Sequence, residues 1–288
     1  MERLDHDRLI GGALWIIGCG NMGRAILDRW IRCGLDPARV TVIDPALPPM
    51  GHGVAVLPRP DPGAPSPSIA LLAVKPQMLD AAAEAIAPSL SEETMLVSIL
   101  AGVTIATLRQ RFATPSRIAR AMPNLPVAIG AGVVALYGID DQPALTALMA
   151  PLGVVEWLDQ ESHFDAVTAL SGSGPAFVAR FIDAMALGGV ALGLSEAQAA
   201  RMALATVGGT AALLETNGED PAAMARRVTS PGGTTQAGLA VLDEGGQFAA
   251  RIGDTLAAAA LRSAPVKFSR KTRYAAPACA PPAQLSLA

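Results

Sequence analysis

Through the first half of the chain, short runs of β-branched and aliphatic residues alternate with stretches whose apolar positions recur every three or four residues. That is the pattern of a parallel sheet with crossover helices. The runs at 14–17, 40–43, 69–74, 95–99, 117–121 and 133–136 read as strands. Between the second and third of them stand Pro58, Pro60, Pro62, Pro65 and Pro67, whose fixed φ and missing N–H groups exclude a regular helix. A loop is expected there, with room for a short strand at 54–57. From about Phe164 onward Ala, Leu, Met and Gly dominate at helical spacing, and β-branched alternation disappears. Residues 176–192 and 196–214 read as long helices, apolar on more than one side and rich in Ala and Gly, suited to close packing on several faces.

The chain therefore divides into an α/β part at 12–160, an all-helical part at 161–270, and a tail at 271–288. Pro277, Pro281 and Pro282 among small residues predict disorder in that tail. A length of 288 residues suits two domains. With 51% apolar and only 16% charged residues, the surplus apolar surface predicts a subunit interface, and the long helices favour a helical dimer core. Arg180 and Asp183 cut the apolar run at 176–185, so no stretch is expected to span a bilayer as a continuous helix. Residues 1–9 mix acids, Arg and His without an apolar core, which argues against a secretory signal and for a cytoplasmic protein. Cys19, Cys33 and Cys279 have no C-x-x-C spacing, so neither a disulfide framework nor a zinc site is expected. The net charge of −3 with no basic run excludes a nucleic-acid footprint and leaves a small molecule as the partner.

Candidate chemistry begins at Gly18-Cys19-Gly20-Asn21-Met22-Gly23, a G-x-G-x-x-G string that follows a predicted strand and opens a predicted helix. Gly18 permits the tight turn, Gly20 lets backbone approach a pyrophosphate, and Gly23 allows helix and strand to pack closely. A glycine-rich turn without a ligand is the competing account. Asp44 ends the second strand about twenty residues past the last glycine, where an acid accepts hydrogen bonds from an adenosine ribose and repels a 2′-phosphate. That favours NADH, although Asp before Pro45 also simply starts turns. A methyltransferase would use a similar acid, but the third glycine favours a dinucleotide. The fold class expected is an N-terminal Rossmann-type parallel sheet domain followed by an all-α dimerisation domain.

Several separated strings then resemble one family. They are Ile17 to Gly23, Ala73-Val74-Lys75-Pro76-Gln77, Ala101-Gly102-Val103-Thr104-Ile105 and Met122-Pro123-Asn124-Leu125-Pro126. In the second half they are Leu170-Ser171-Gly172-Ser173-Gly174-Pro175-Ala176 and Val228-Thr229-Ser230-Pro231-Gly232-Gly233-Thr234-Thr235. In this order, from about Leu14 to about Arg262, they look like the segments that mark pyrroline-5-carboxylate reductases. The resemblance implies reduction of the C=N bond of 1-pyrroline-5-carboxylate to proline by NADH or NADPH. It implies a homodimer, or a larger ring of dimers, with each active site between one chain's cofactor domain and its neighbour's helices. It places Ala73, Val74, Lys75 and Pro76 beside the adenosine side of the cofactor, and Ile99, Leu100 and Ala101 nearer the nicotinamide. Read without the family, Lys75 is a solvated cation at a strand end. The family usually has a helix where the prolines stand here, and more polar residues where Met224-Ala225-Arg226-Arg227 stands; those arginines either approach an anionic substrate or face solvent.

Ser230-Pro231-Gly232-Gly233 running into a helical pattern leaves N–H groups at a helix start, open to a carboxylate. The resemblance gives Gly233, Thr234 and Thr235 that role, with Ser230 in the same string. Hydride addition builds electron density on the imine nitrogen, and Thr235 is the candidate donor there, orienting or relaying a solvent proton. Thr235 as a plain helix cap is the structural alternative. Glu161 aligns with an acidic position that touches the ligand in the family, although it stands in a polar connection where solvated acids are ordinary. Ser173 helps shape the substrate pocket in the family, and as a helix start Ser173 or Gly174 caps with Pro175 in the first turn. Of His6, His52 and His163, none is assigned to catalysis. Another imine or 3-hydroxyacid reductase of the same plan, and a non-catalytic dinucleotide sensor, remain as rivals. The first would want a lysine within 176–192, which has none, and the second has no need of the Ser230 to Thr235 string.

Overall fold

Leu14, Trp15, Ile16 and Ile17 are all buried, as a strand covered by helices on both faces requires. The computed structural model that shows this describes residues 11–138 and 142–263. Its strands are β1 (Leu14–Ile17), β2 (Val40–Ile43), β3 (Ala55–Leu57), β4 (Ile69–Leu72), β5 (Met95–Ser98), β6 (Ile118–Pro123), β7 (Gly132–Gly138) and β8 (Gly153–Trp157). They form one sheet in the order β3-β2-β1-β4-β5-β6-β7-β8. The first six run parallel in the doubly wound order that reverses direction beside β1.

Two cores result from the strand alternation. Leu14 and Ile16 point into one, beneath α1 (Asn21–Arg32), whose Ile26, Leu27 and Trp30 share a buried stripe, and α4 (Gln142–Met149). The Trp30 indole N–H donates to the Leu148 carbonyl at 2.8 Å and ties those two helices together. Trp15 and Ile17 point into the other core, beneath α2 (Leu79–Ile86) and α3 (Ile105–Arg109). Burying so many aliphatic side chains, at about 1.5–3 kcal/mol each, is the dominant stabilising effect.

The expected sheet needs two corrections. β7 runs antiparallel to β6, with β8 parallel to β7, so the sheet is mixed at that edge. β8 is also absent from the strands read off the sequence. It is an edge strand whose residues are only partly buried, such as Val154 at 57% exposure, so its apolar signal is weak. The proline-rich connection carries only the short β3, as expected, with no helix between β2 and β4 among the described residues.

The second half is helical: α5 (Phe164–Val167), α6 (Gly174–Ala191), α7 (Glu196–Asn217), α8 (Pro221–Arg227), α9 (Thr234–Leu242) and α10 (Gln247–Ser263). A π-helical turn at Thr168–Gly172 joins α5 to α6. The helical run from residue 161 to 191 is thereby unbroken over 31 residues, and by length and composition it would suffice to cross a membrane. This corrects the expectation that no helix is apolar enough to span, whereas the helix itself was expected over 176–192. Arg180 and Asp183 lie one turn apart and pair with each other on the surface, so they leave the helix intact. α6 and α7 pack through small residues, with Gly189 against Ala199. Meanwhile Val178, Phe181, Met185, Met202, Leu204 and Leu213 stay exposed on the single chain. The tail at 271–288, Cys279 and His6 lie outside the described residues.

Candidate active site

The glycine string sits between β1 and α1, at the carboxyl edge where the strand order reverses. Gly18 has φ +81°, and a Cβ there would lie 2.7 Å from Val74 Cγ1 and 3.0 Å from Val74 N. A Cβ on Gly23 would lie 3.0 Å from the Gly18 carbonyl and 3.1 Å from Ala73 Cβ. Both glycines are therefore required by packing against the end of β4. Gly20 is different: it is exposed, begins α1 without a side-chain cap, and nothing lies within 4 Å of its added Cβ. The loop is thus closed toward the protein and open outward at the helix start. That is the shape a pyrophosphate needs, so the residues present fit a bound dinucleotide.

Ladder bonds continue past the strands and align the other edge residues. Gly18 N–H donates to the Ile43 carbonyl, Ala73 N–H to Ile17, and Ile99 N–H to Leu72, at 2.9, 2.8 and 3.0 Å. Gly18, Asp44, Ala73 and Ile99 consequently line one edge. Asn21 is exposed and Met22 half-buried at the start of α1, where they border the same opening. Val74 is half-buried, Lys75 is exposed, and Pro76 starts a short 3₁₀ turn. Leu100 is buried with Val103, Leu108 and Phe112, so its side chain serves the core, whereas Ala101 is exposed.

The Asp44 carboxylate makes the expected turn and also fastens the glycine loop. Oδ1 accepts from Ala46 N–H at 2.9 Å, the Asx turn, and Oδ2 accepts from Cys19 N–H at 2.9 Å. Burial pushes the Cys19 thiol up from 9.0 to about 11, with Arg24 opposing and Asp44 reinforcing. That thiol is neutral and unreactive at ordinary pH.

In the helical half, Gly232 (φ +72°) turns the chain and Gly233 caps α9. Thr234 and Thr235 occupy its first turn, exposed. The idea of Thr235 as the cap is thereby corrected: the cap is Gly233, which has no side chain to cover the first N–H groups. A Cβ on Gly233 would lie 2.5 Å from Ser230 Oγ, so the serine is folded tightly over the turn. Gln236 Oε1 accepts from Gly232 N–H at 2.6 Å and stiffens it. Arg227 faces Glu219, bonding both its oxygens at 2.9 and 2.7 Å and holding that carboxyl below its ordinary range. Its charge is thus neutralised locally. Ser173 precedes α6 as its cap residue without a capping bond.

Glu161 is held by Arg120 Nη1 at 3.0 Å and Ile105 N–H at 2.7 Å. Burial lowers the Arg120 pKa, while the bond and charge of Glu161 oppose that shift. Asn124 Nδ2 donates to the Ser171 carbonyl at 3.0 Å, and its Oδ1 accepts from Val133 N–H at 2.8 Å. Arg120 and Asn124 thus tie the sheet to the helical half, and sequence reasoning assigned neither. The available signal was a lone arginine between Ala119 and Ala121 in an otherwise apolar strand.

A family model described as pyrroline-5-carboxylate reductase dimerisation matches residues 161–266. One described as NADP oxidoreductase coenzyme F420-dependent matches residues 13–102. Among curated relatives, pyrroline-5-carboxylate reductase of Synechocystis is 40% identical over 267 residues, covering 87% of this chain and 96% of that protein. The Pseudomonas aeruginosa pyrroline-5-carboxylate reductase is 34% identical over 258 residues, covering 86% and 94%. A solved pyrroline-5-carboxylate reductase from Coxiella burnetii superposes with a TM-score of 0.79 at 30% identity, over 88% of this chain and 97% of that one.

Proposed function

This chain belongs to the pyrroline-5-carboxylate reductase family, and on that premise we infer that it reduces 1-pyrroline-5-carboxylate to proline with a nicotinamide cofactor. The observation that carries the reading is the opening at Gly20, where the loop is packed shut behind and free in front. When bound, the cofactor supplies the hydride. Gly18, Gly20, Asn21, Met22 and Gly23 hold its pyrophosphate, Asp44 its ribose, and Ala73, Val74, Lys75 and Pro76 border the adenosine side. Ile99 and Ala101, with the backbone of Leu100, lie toward the nicotinamide.

The first-turn N–H groups of Thr234 and Thr235, with Gly233 and Ser230, receive the substrate carboxylate. Reduction would leave the new hydrogen on the ring carbon of C=N, and the nitrogen would take its proton from solvent. Thr235 orients that proton through its hydroxyl, and Ser173 shapes the pocket. Asp44 favours NADH, because its charge stands where a 2′-phosphate would go and the Ala46 N–H is already bonded.

The helical part at 161–270 buries the exposed faces of α6 and α7 against a second copy, giving a homodimer or a ring of dimers of cytoplasmic location. The sheet part at 12–160 faces the neighbour's α9. The direct experiment mixes purified protein with 1-pyrroline-5-carboxylate and NADH, then NADPH, and follows cofactor absorbance while identifying proline. Turnover supports the reading. Cofactor binding without turnover would favour another imine reductase or a sensor.

A further inference from the structure

Glu161 Oε1 is the meeting point of two donors from the sheet domain, Ile105 N–H at 2.7 Å and Arg120 Nη1 at 3.0 Å. Arg120 is the more deeply buried partner, its side chain 5% exposed against 25% for Glu161. Its guanidinium carbon also lies 4.0 Å from the centre of the Phe164 ring. One arginine of β6 therefore grips residues 161 and 164, at the beginning of the helical run that continues to residue 191.

Strand register shows what the pair grips on its other side. Arg120 stands opposite Ser98, the last residue of β5. The chain then passes through 99–104 and enters α3 at Ile105, with Thr104 as cap. Segment 99–104 thus leaves from beside Arg120 and ends on Glu161. In the reading above Asp44 holds the adenosine half of the cofactor across the switch point, so this segment flanks the nicotinamide half.

We propose that Arg120 and Glu161 are positioning residues for hydride transfer. The pair fixes segment 99–104, and with it the nicotinamide side of the site, against the first turn of the helical domain. Glu161 then acts through the cofactor side and makes no contact with the substrate. Buried ion pairs are weak sources of stability, so a geometric role accounts better for one placed between domains. The proposal rests on the reductase reading, and wild-type turnover is its control.

Two variants test it. Glu161→Gln removes the charge. Ile105→Pro deletes that N–H and trims a side chain packed against the second core, at the first position of a helix where proline is tolerated and after a residue already extended at φ −83°, ψ 160°. Both should lower kcat roughly tenfold or more, because small displacements of reacting atoms cost up to about a hundredfold. KM for 1-pyrroline-5-carboxylate and the Kd for NADH should stay within about twofold. The primary isotope effect on kcat from 4-deuterated NADH should rise, since the chemical step becomes slower than release. A variant that only loses folded protein scales kcat without moving the isotope effect, and that result in both variants overturns the proposal. A raised KM with intact kcat in Glu161→Gln overturns it too, by making Glu161 a substrate contact. Wild-type protein that binds NADH yet leaves the imine unreduced overturns the reductase reading along with it.

Discussion

Asp44 Oδ2 accepts the Cys19 N–H at 2.9 Å, so the end of β2 is fastened to the glycine loop after β1. The same carboxylate turns the chain at Ala46. Its charge is therefore held at one place on the edge of the sheet.

Replacing Asp44 by Asn keeps one of its two acceptor oxygens and removes the charge. The ratio of kcat/KM for NADH over NADPH should fall about tenfold, which corresponds to ~1.4 kcal/mol. Initial rates with both cofactors at low ionic strength measure it. An unchanged ratio would leave Asp44 a turn residue alone.

Gly18→Ala and Gly20→Ala should fail in different ways. At Gly18 the new Cβ meets Val74 at 2.7 Å in a left-handed backbone, so the melting temperature falls with a cost of about 1–3 kcal/mol. At Gly20 the space is empty, so stability should hold while the Kd for NADH weakens about tenfold or more. An unchanged Kd for NADH in Gly20→Ala would mean that the outward opening does not hold the cofactor.

Thr235→Ala should cut turnover by about a hundredfold while cofactor affinity stays unchanged. Thr235→Ser, which keeps the hydroxyl, should recover most of the rate. Full activity of the alanine variant would remove Thr235 from the reaction.

Cys19 titrates late, so it makes stability depend on alkaline pH. Its folded pKa of about 11 exceeds the ordinary 9.0, which means that the folded state holds the proton more tightly. The contribution is complete below about pH 9 and is lost as pH rises toward about 11. Melting curves of wild type and Cys19→Ser across that window should diverge, with the wild type losing more. Parallel curves would show the thiol to be unperturbed.

Much of the fold was written locally. The apolar runs marked β1 and β2 to the residue, because a strand buried on both faces must be continuously apolar. The glycine string and the turn from Ser230 to Thr235 were equally legible, since small residues at fixed spacing have a backbone reason. β8 was not legible: an edge strand buries too little to leave a clear pattern. Nor was the extension of the helical run that ends at residue 191 back to residue 161, because the π-helical turn at Thr168–Gly172 joins segments that local periodicity does not connect.

By itself, then, the sequence determined the order of sheet and helices, the glycine loop and the turn from Ser230 to Thr235, all of which follow from short-range periodicity and backbone freedom. Only the tertiary structure decided that Asp44 holds Cys19, that Gly20 opens outward while Gly18 is packed shut, and that Arg120 meets Glu161 and Phe164. The physical reason is distance along the chain. Arg120 and Glu161 are 41 residues apart, and strand register, not local pattern, brings them within 3.0 Å.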